Sequence, residues 1–411
     1  MIARLASWSQ PADRSVAFAA TLVAVAVFLL SWGLLHRGFY THDPIVDTPI
    51  YERYGAAMDD GKVPYRDFSV EYPPAALPVF LLPALGDPGS DTFRVRFEAL
   101  MAFLGELMVV CVAVALVALG VQLQRLLAAL GFVALAPLAL GPVFLSRFDL
   151  WPAALTAAAL AALVAGRLRL GHVALGAAVA AKLYPAVLAP LAVAYVWRRE
   201  GRREALVCAG LLAGVVALVF APFFVLSPGG VWHSMADQAS RPLQIESLGS
   251  GLLLAAHQVF GTGLTMRTSH GSQNLAGTAP DVLAVALTIL QIGAVVAVWL
   301  LFARGSAGRE RLLQASAAAL VAFVAFGKVL SPQFLIWLVP LVPLVGGRRG
   351  LVAAALLATA LVLTQLWFPY RYWELALDFA TFPSWLVLAR DLVLIALLVT
   401  VWPRARAGIS N

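Results

Sequence analysis

Long apolar runs alternate with short polar interruptions along the whole chain, and most of the runs approach the length of a membrane-crossing helix. Candidate spans fall near 16–35, 93–119, 126–145, 149–166, 171–197, 204–224, 281–303, 310–327, 334–346, 350–368 and 385–402. Several of these are short or broken. The run 171–197 carries Lys182-Leu183-Tyr184-Pro185 at its centre, and the proline predicts a break into two half-length helices that enter and leave on one side. In the polar stretch between the first two spans, Asp47, Tyr51 and Tyr54 recur at helical spacing. Gly55, Gly61 and Pro64 are expected to end that helix, and Pro73-Pro74 to start an interfacial one running through Leu85.

Composition excludes a soluble domain: 61% of the 411 residues are hydrophobic and 12% charged, where a soluble protein needs roughly 25% charged residues. The expected class is an all-α polytopic membrane protein of 10 to 12 transmembrane helices, a single unit over 1–411. The first apolar segment is followed by Trp32, His36 and Arg37 instead of a small-residue cleavage site, and reads as a retained helix. The only two cysteines, Cys111 and Cys208, lie inside apolar segments, so no disulfide framework or CxxC site is expected.

The net charge of +7 is topological and does not signal nucleic acid. Arginines cluster at 4/14, 125, 167/169, 198/199/202/203, 304/309/311, 348/349 and 404/406, and the tendency of positive loops to stay inside places all of them, and both termini, in the cytoplasm. The stretches 36–92, 146–149, 226–280, 328–333 and 370–385 then fall on the extracytoplasmic side, the two long ones as loops carrying short interfacial helices.

Chemistry concentrates on that side. Of 29 basic residues only three are lysines, and two of them, Lys182 and Lys328, interrupt apolar segments beside a proline. An ionisable residue at membrane depth costs ~2.5–3.5 kcal/mol and marks a site or a buried pair, unless it snorkels from a helix end. The turn Ser146-Arg147-Phe148-Asp149 adds Arg147 and Asp149. The second long loop adds Arg241, Gln244 and Glu246, and the turn after Lys328 ends on Gln333. In the first loop Asp43, Asp47, Arg66, Asp67 and Glu71 stand out, with Arg66 and Asp67 reading as a loose surface pair. Arg390 and Asp391 are adjacent inside the last span and read as a structural pair. His233 and His270 lack partners at metal-ligand spacing, so no metal is expected. Tryptophans near the span ends, among them Trp32, Trp367 and Trp373, suit an interfacial belt.

The succession Asp47, Tyr51, Gly61, Pro64, Tyr65, Asp67, Phe68, Glu71, Tyr72, Pro73, Pro74 resembles the first external loop of the glycosyltransferase family 87 type. The stretches SRFDLWPA, AAKLYPAVLAPL, SRPLQIESL and GKVLSPQFLIWLVPL are similar to that family's recurrent motifs in the same order, so the resemblance covers about residues 40–345. It implies a GT-C-type bundle, a polyprenyl-phosphate-linked sugar donor, mannose first among the sugars, and an extracytoplasmic site. It also implies an acidic base after the first helix: Asp47 by position, with Asp43 as a nearby rival. This chain departs from the common pattern in having Pro49 between Asp47 and Tyr51 and in carrying that second acid.

The residues alone support a compatible mechanism. The chain has no glycine-rich phosphate loop or dinucleotide-binding pattern, so a lipid-linked donor suits it better than a nucleotide sugar. One carboxylate would deprotonate an acceptor hydroxyl, and Arg147, Lys182, Arg241 and Lys328 would cradle the leaving phosphate. Tyr51, Arg66, Asp67, Glu71, Tyr72, Asp149, Gln244, Glu246 and Gln333 would bind sugar or acceptor or brace the loops, with Glu71 expected to brace Arg66. The acceptor would be a glycolipid or glycan of the cell envelope. The Ala/Arg-rich, Lys-poor composition suggests a bacterial plasma membrane. A transporter or flippase for a lipid-linked sugar is the rival reading, and it predicts an internal repeat that the Lys182 and Lys328 regions do not display.

Overall fold

The computed structural model describes residues 13–42 and 45–404. Seven of its helices are long and apolar enough to cross a membrane: α1 (Arg14–Leu34), α4 (Ser90–Ala118), α5 (Leu123–Leu140), α9 (Arg202–Leu226), α12 (Thr278–Arg304), α15 (Gly347–Trp367) and α17 (Thr381–Val401). The protein is an all-α polytopic membrane protein. Shorter elements complete the bundle: α6 (Leu150–Val164), α7 (Leu168–Ala181), α8 (Ala189–Glu200), α13 (Arg309–Ala325) and α14 (Phe334–Leu338). The expected span 334–346 is broken, with α14 followed by a 3₁₀ turn at Val342–Leu344.

The arginine clusters among the described residues meet at one end, Arg4 and Arg406 lying outside them. Arg125 binds Glu310 at 2.6 Å and the Leu344 carbonyl at 2.8 Å, Arg309 donates to the Ala118 carbonyl at 3.2 Å, and Arg198 donates to the carbonyls of Ala303 and Gly305. Gln314 near the start of α13 reaches the Val401 carbonyl at 3.2 Å.

The break inside 171–197 follows from packing as well as from proline. Arg169 at the start of α7 makes two bonds, at 2.7 and 2.8 Å, to Glu204 at the start of α9. Further along, Gly176 lies so close to α9 that an added Cβ would stand 2.7 Å from the Leu212 carbonyl oxygen. α7 and α9 therefore run parallel. α8 ends at Glu200, with only Gly201 between it and the start of α9, and so returns to the arginine-rich end. The chain rises through α7, turns at Lys182 and the 3₁₀ segment Tyr184–Leu188, and descends through α8. Fourteen residues give α7 a length of about 21 Å, and Lys182 lies at the apex of the hairpin that α7 and α8 form, level with Asp149 at the start of α6.

At the opposite end the two long polar stretches pack on one another. The first contains α2 (Thr48–Asp59), a 3₁₀ turn at Pro74–Ala76 and α3 (Leu77–Ala84). Contrary to expectation, α2 continues through Gly55, because the missing side chain admits the Phe80 backbone and Ala84 of α3. The second stretch is more ordered than a loop with interfacial helices. It forms α10 (Pro228–Ser240), α11 (Leu248–Phe260) and an antiparallel hairpin of β1 (Thr265–Ser269) and β2 (Ser272–Ala276). Ser227 donates to the Tyr65 carbonyl at 3.0 Å and Gln238 to that of Glu71 at 3.3 Å, joining the two stretches. α16 (Tyr372–Asp378) closes this end beside α17.

Candidate functional site

A cavity of about 680 Å³ opens among these elements at the end opposite the arginines. Its lining includes Asp47, Glu71, Tyr72, Arg147, Lys182, Arg241, Gln244, Glu246, Lys328 and Gln333. Segments nearly 290 residues apart in the chain thus contribute to one site. Asp43 lies outside the described residues.

Asp47 precedes the first turn of α2 and forms an ion pair with Arg147, whose side chain is 5% exposed. Tyr51, one turn on, donates from its hydroxyl to Asp47 Oδ2 at 3.3 Å. Tyr51 does not line the cavity. It is buried behind Asp47, stacked on Phe80 at 4.6 Å and edge-on to Phe148 at 5.7 Å. The helical spacing of Asp47 and Tyr51 is what aligns the phenol with the carboxylate.

Lys182 does not snorkel. Its Nζ donates to Asp149 Oδ1 at 2.6 Å and lies 4.5 Å from the centre of the Phe148 ring and 5.2 Å from that of Trp337. Asp149 is 1% exposed and also accepts from Trp337 Nε1 at 2.5 Å. Trp337 is in turn stacked between Tyr184 at 4.1 Å and Phe334 at 4.0 Å. The lysine charge is thus fixed by one carboxylate and an aromatic wall. Trp337 escaped the sequence analysis because it sits in the apolar run Phe334–Leu338, where only its ring nitrogen is polar.

Arg241 and Lys328 differ from these two cations in having only neutral hydrogen-bond acceptors. Arg241 donates to the His270 carbonyl at 3.3 Å, Ser272 Oγ at 3.1 Å and Gln238 Oε1 at 3.4 Å, and its Nε has no hydrogen-bond partner among the described residues. Lys328 Nζ donates to the Ala239 carbonyl at 2.9 Å. Burial holds the Arg241 guanidinium below its usual range, partly offset by Glu71.

Glu71 corrects one expectation. It does not brace Arg66, which folds back in a bidentate pair on Asp67 at 2.9 Å for each bond. That pair is exposed and away from the cavity. Asp67 also accepts the Val63 N–H at 2.7 Å, and the Arg66 bond holds its carboxyl at about 2. Glu71 instead lines the cavity, where partial desolvation raises its carboxyl above the usual range against the pull of Arg241. Tyr72 packs edge-on against Phe148 at 4.7 Å and accepts the Tyr65 hydroxyl at its carbonyl.

On the far wall Gln244 and Glu246 were named from the sequence, whereas the hairpin beside them was illegible there. The tip of the β-hairpin, His270-Gly271, lines the cavity with both residues at positive φ, +53° and +65°. Such a two-residue turn favours glycine in at least one place. Gln273 accepts the Tyr372 hydroxyl, and the Gln244 amide spans Glu246 Oε2 at 2.6 Å and Ser331 Oγ at 2.9 Å. Deep in the last span, Arg390 pairs with Asp391 at 2.7 Å and donates to the Glu246 carbonyl at 2.6 Å, so this pair fixes the loop that carries Glu246. Among the described residues no group of three or more His, Cys, Asp and Glu side chains is placed to hold a metal ion.

No family model and no curated protein matches the sequence. Among solved structures the fold is similar to the crystal structure of ArnT from Cupriavidus metallidurans bound to undecaprenyl phosphate, with a TM-score of 0.49 and 15% sequence identity over 97% of this chain and 78% of that one.

Proposed function

We propose that the protein is a GT-C-type glycosyltransferase that moves a hexose, mannose first among the candidates, from a polyprenyl-phosphate carrier to a cell-envelope glycolipid or glycan. The site would face the extracytoplasmic side of a bacterial plasma membrane. The observation that carries this reading is the convergence of Asp47 and two further acids, Glu71 and Glu246, with four cations, Arg147, Lys182, Arg241 and Lys328, around a single cavity at the end away from the arginine clusters. A second feature favours a lipid-borne substrate. The cavity wall includes Thr288 and Gln291 of α12 and Phe323 of α13, while α12 turns Ile289 and Ile292 outward, so the site borders a helix that faces lipid.

The chemistry follows from charge. The acceptor hydroxyl oxygen forms a bond to the anomeric carbon as the bond from that carbon to the phosphate oxygen breaks. The hydroxyl proton passes to Asp47, and the carrier leaves as a phosphate monoester dianion. Asp47 can accept that proton while held by Arg147 and Tyr51, because a carboxylate offers about four lone-pair sites. The dianion leaves without a proton donor if cations meet its growing charge. Arg241 and Lys328 suit that task because their own hydrogen bonds go to neutral acceptors. Lys182 and Arg147, each bound to a carboxylate, would shape the cavity beside them. One base and a single displacement give inversion at the anomeric carbon.

The test is label transfer by the purified protein from radiolabelled polyprenyl-phosphate mannose, then from the glucose and arabinose analogues, to extracted envelope glycolipid. Incorporation from one of these donors is expected. Failure with every donor would reject the assignment.

A further inference from the structure

Around the cavity, three carboxyl groups are each ion-paired with a cation: Asp47 with Arg147, Asp149 with Lys182 and Asp391 with Arg390. Among the described residues neither Glu71 nor Glu246 forms an ion pair, and of the two Glu246 is the enclosed one, 1% exposed. Its Oε2 accepts from Gln244 Nε2 at 2.6 Å, and its main-chain carbonyl is held by Arg390 at 2.6 Å, so its position is fixed. The charged and titratable groups facing it are Arg390 and Asp391 of α17, Arg147 of the turn before α6, Arg241 of its own segment and Tyr372 of α16. Lys328 lies on the adjacent turn but sends its ammonium to the Ala239 carbonyl.

We propose that Glu246 enters the reaction as a neutral carboxylic acid that donates a hydrogen bond to a phosphate oxygen of the donor. The proposal rests on the transferase reading above. Glu246 lines the cavity in the field of both Arg147 and Arg241, beside the cations assigned to the phosphate. An ionised carboxylate there only accepts hydrogen bonds, and it would repel a phosphate passing from one negative charge to two. A neutral carboxyl donates, and that bond strengthens as the leaving phosphate gains charge, so it favours the transition state over the bound donor. No proton leaves Glu246; the acceptor proton still goes to Asp47. The environment supports the neutral form, since burial pushes the carboxyl up to about 8 despite Arg390, Arg147 and Arg241. The sign is that of an acid with a raised value: protonated at neutral pH, ionised above about 8.

The experiment compares kcat/KM for transfer as a function of pH in the wild type, Glu246→Gln and Glu246→Ala, together with the infrared carbonyl band of protonated carboxyls at neutral pH. Wild-type activity should fall about tenfold per pH unit above about 8. Glu246→Gln should be about tenfold slower at neutral pH yet lose that alkaline fall, because an amide still donates and cannot ionise. Glu246→Ala should be about 10²-fold slower. The infrared band should weaken in Glu246→Gln relative to the wild type. An active wild type whose alkaline fall persists unchanged in Glu246→Gln, or a band that the substitution leaves intact, would overturn the role of Glu246 while leaving the transferase reading standing. A wild type that transfers nothing from any donor would remove the reaction and this role together.

Discussion

Lys182 sits where a buried carboxylate and aromatic rings converge, and its energetics follow from that setting. Breaking a buried pair by removing one partner leaves the other charge uncompensated, typically at ~3–5 kcal/mol. Lys182→Met should therefore lower the melting temperature in detergent markedly and reduce transfer about 10²-fold. The double variant Lys182→Met/Asp149→Asn should regain much of the stability without regaining activity. Equal activity in the double variant and the wild type would confine the pair to a structural role. Arg241→Met and Lys328→Met leave no bound carboxylate behind and should stay folded, showing their effect in kcat/KM for the lipid-linked donor. Unchanged kcat/KM in both would remove them from the phosphate cradle. Lys182 and Lys328 were legible because lysine is scarce in this chain and stands out inside apolar runs. The Asp149–Trp337 bond was not, since it joins residues 188 apart in sequence and an indole N–H in an apolar run gives no signal.

Among the elements, the hairpin of α7 and α8 carries Lys182 to the cavity and depends on close contact with α9. Gly176 permits that contact, and a side chain there would have to displace the Leu212 backbone or Val215. Gly176→Leu should destabilise the fold by ~1–3 kcal/mol, as overpacking does, measured by thermal unfolding in detergent. No change would mean that the two helices have room to part. The break itself was readable from Lys182-Leu183-Tyr184-Pro185 flanked by arginine clusters, because proline and charge both disfavour a continuous span. The β-hairpin and α11 were not readable. Each buries its informative face against distant elements, α11 on α17 and the hairpin on the 241–247 segment, so local periodicity carries little of their structure.

Across the described residues the arginine clusters share one end and the cavity occupies the other, a separation that the spacing of basic residues had foreshadowed. Cysteine labelling checks which end faces out. An impermeant thiol reagent applied to intact cells should label a cysteine at Ser69, which is exposed at the cavity end, and spare one at Gly201, exposed at the arginine end. Labelling at Gly201 alone would invert the orientation. The role of Asp47 as base in transfer of a lipid-linked sugar is checked by comparing transfer from radiolabelled polyprenyl-phosphate mannose, or the donor found to replace it, by the wild type, Asp47→Asn and Asp43→Asn. An active wild type, a loss of about 10²-fold or more in Asp47→Asn and near-normal transfer by Asp43→Asn are expected. Full activity in Asp47→Asn, or a loss confined to Asp43→Asn, would rule Asp47 out as the base.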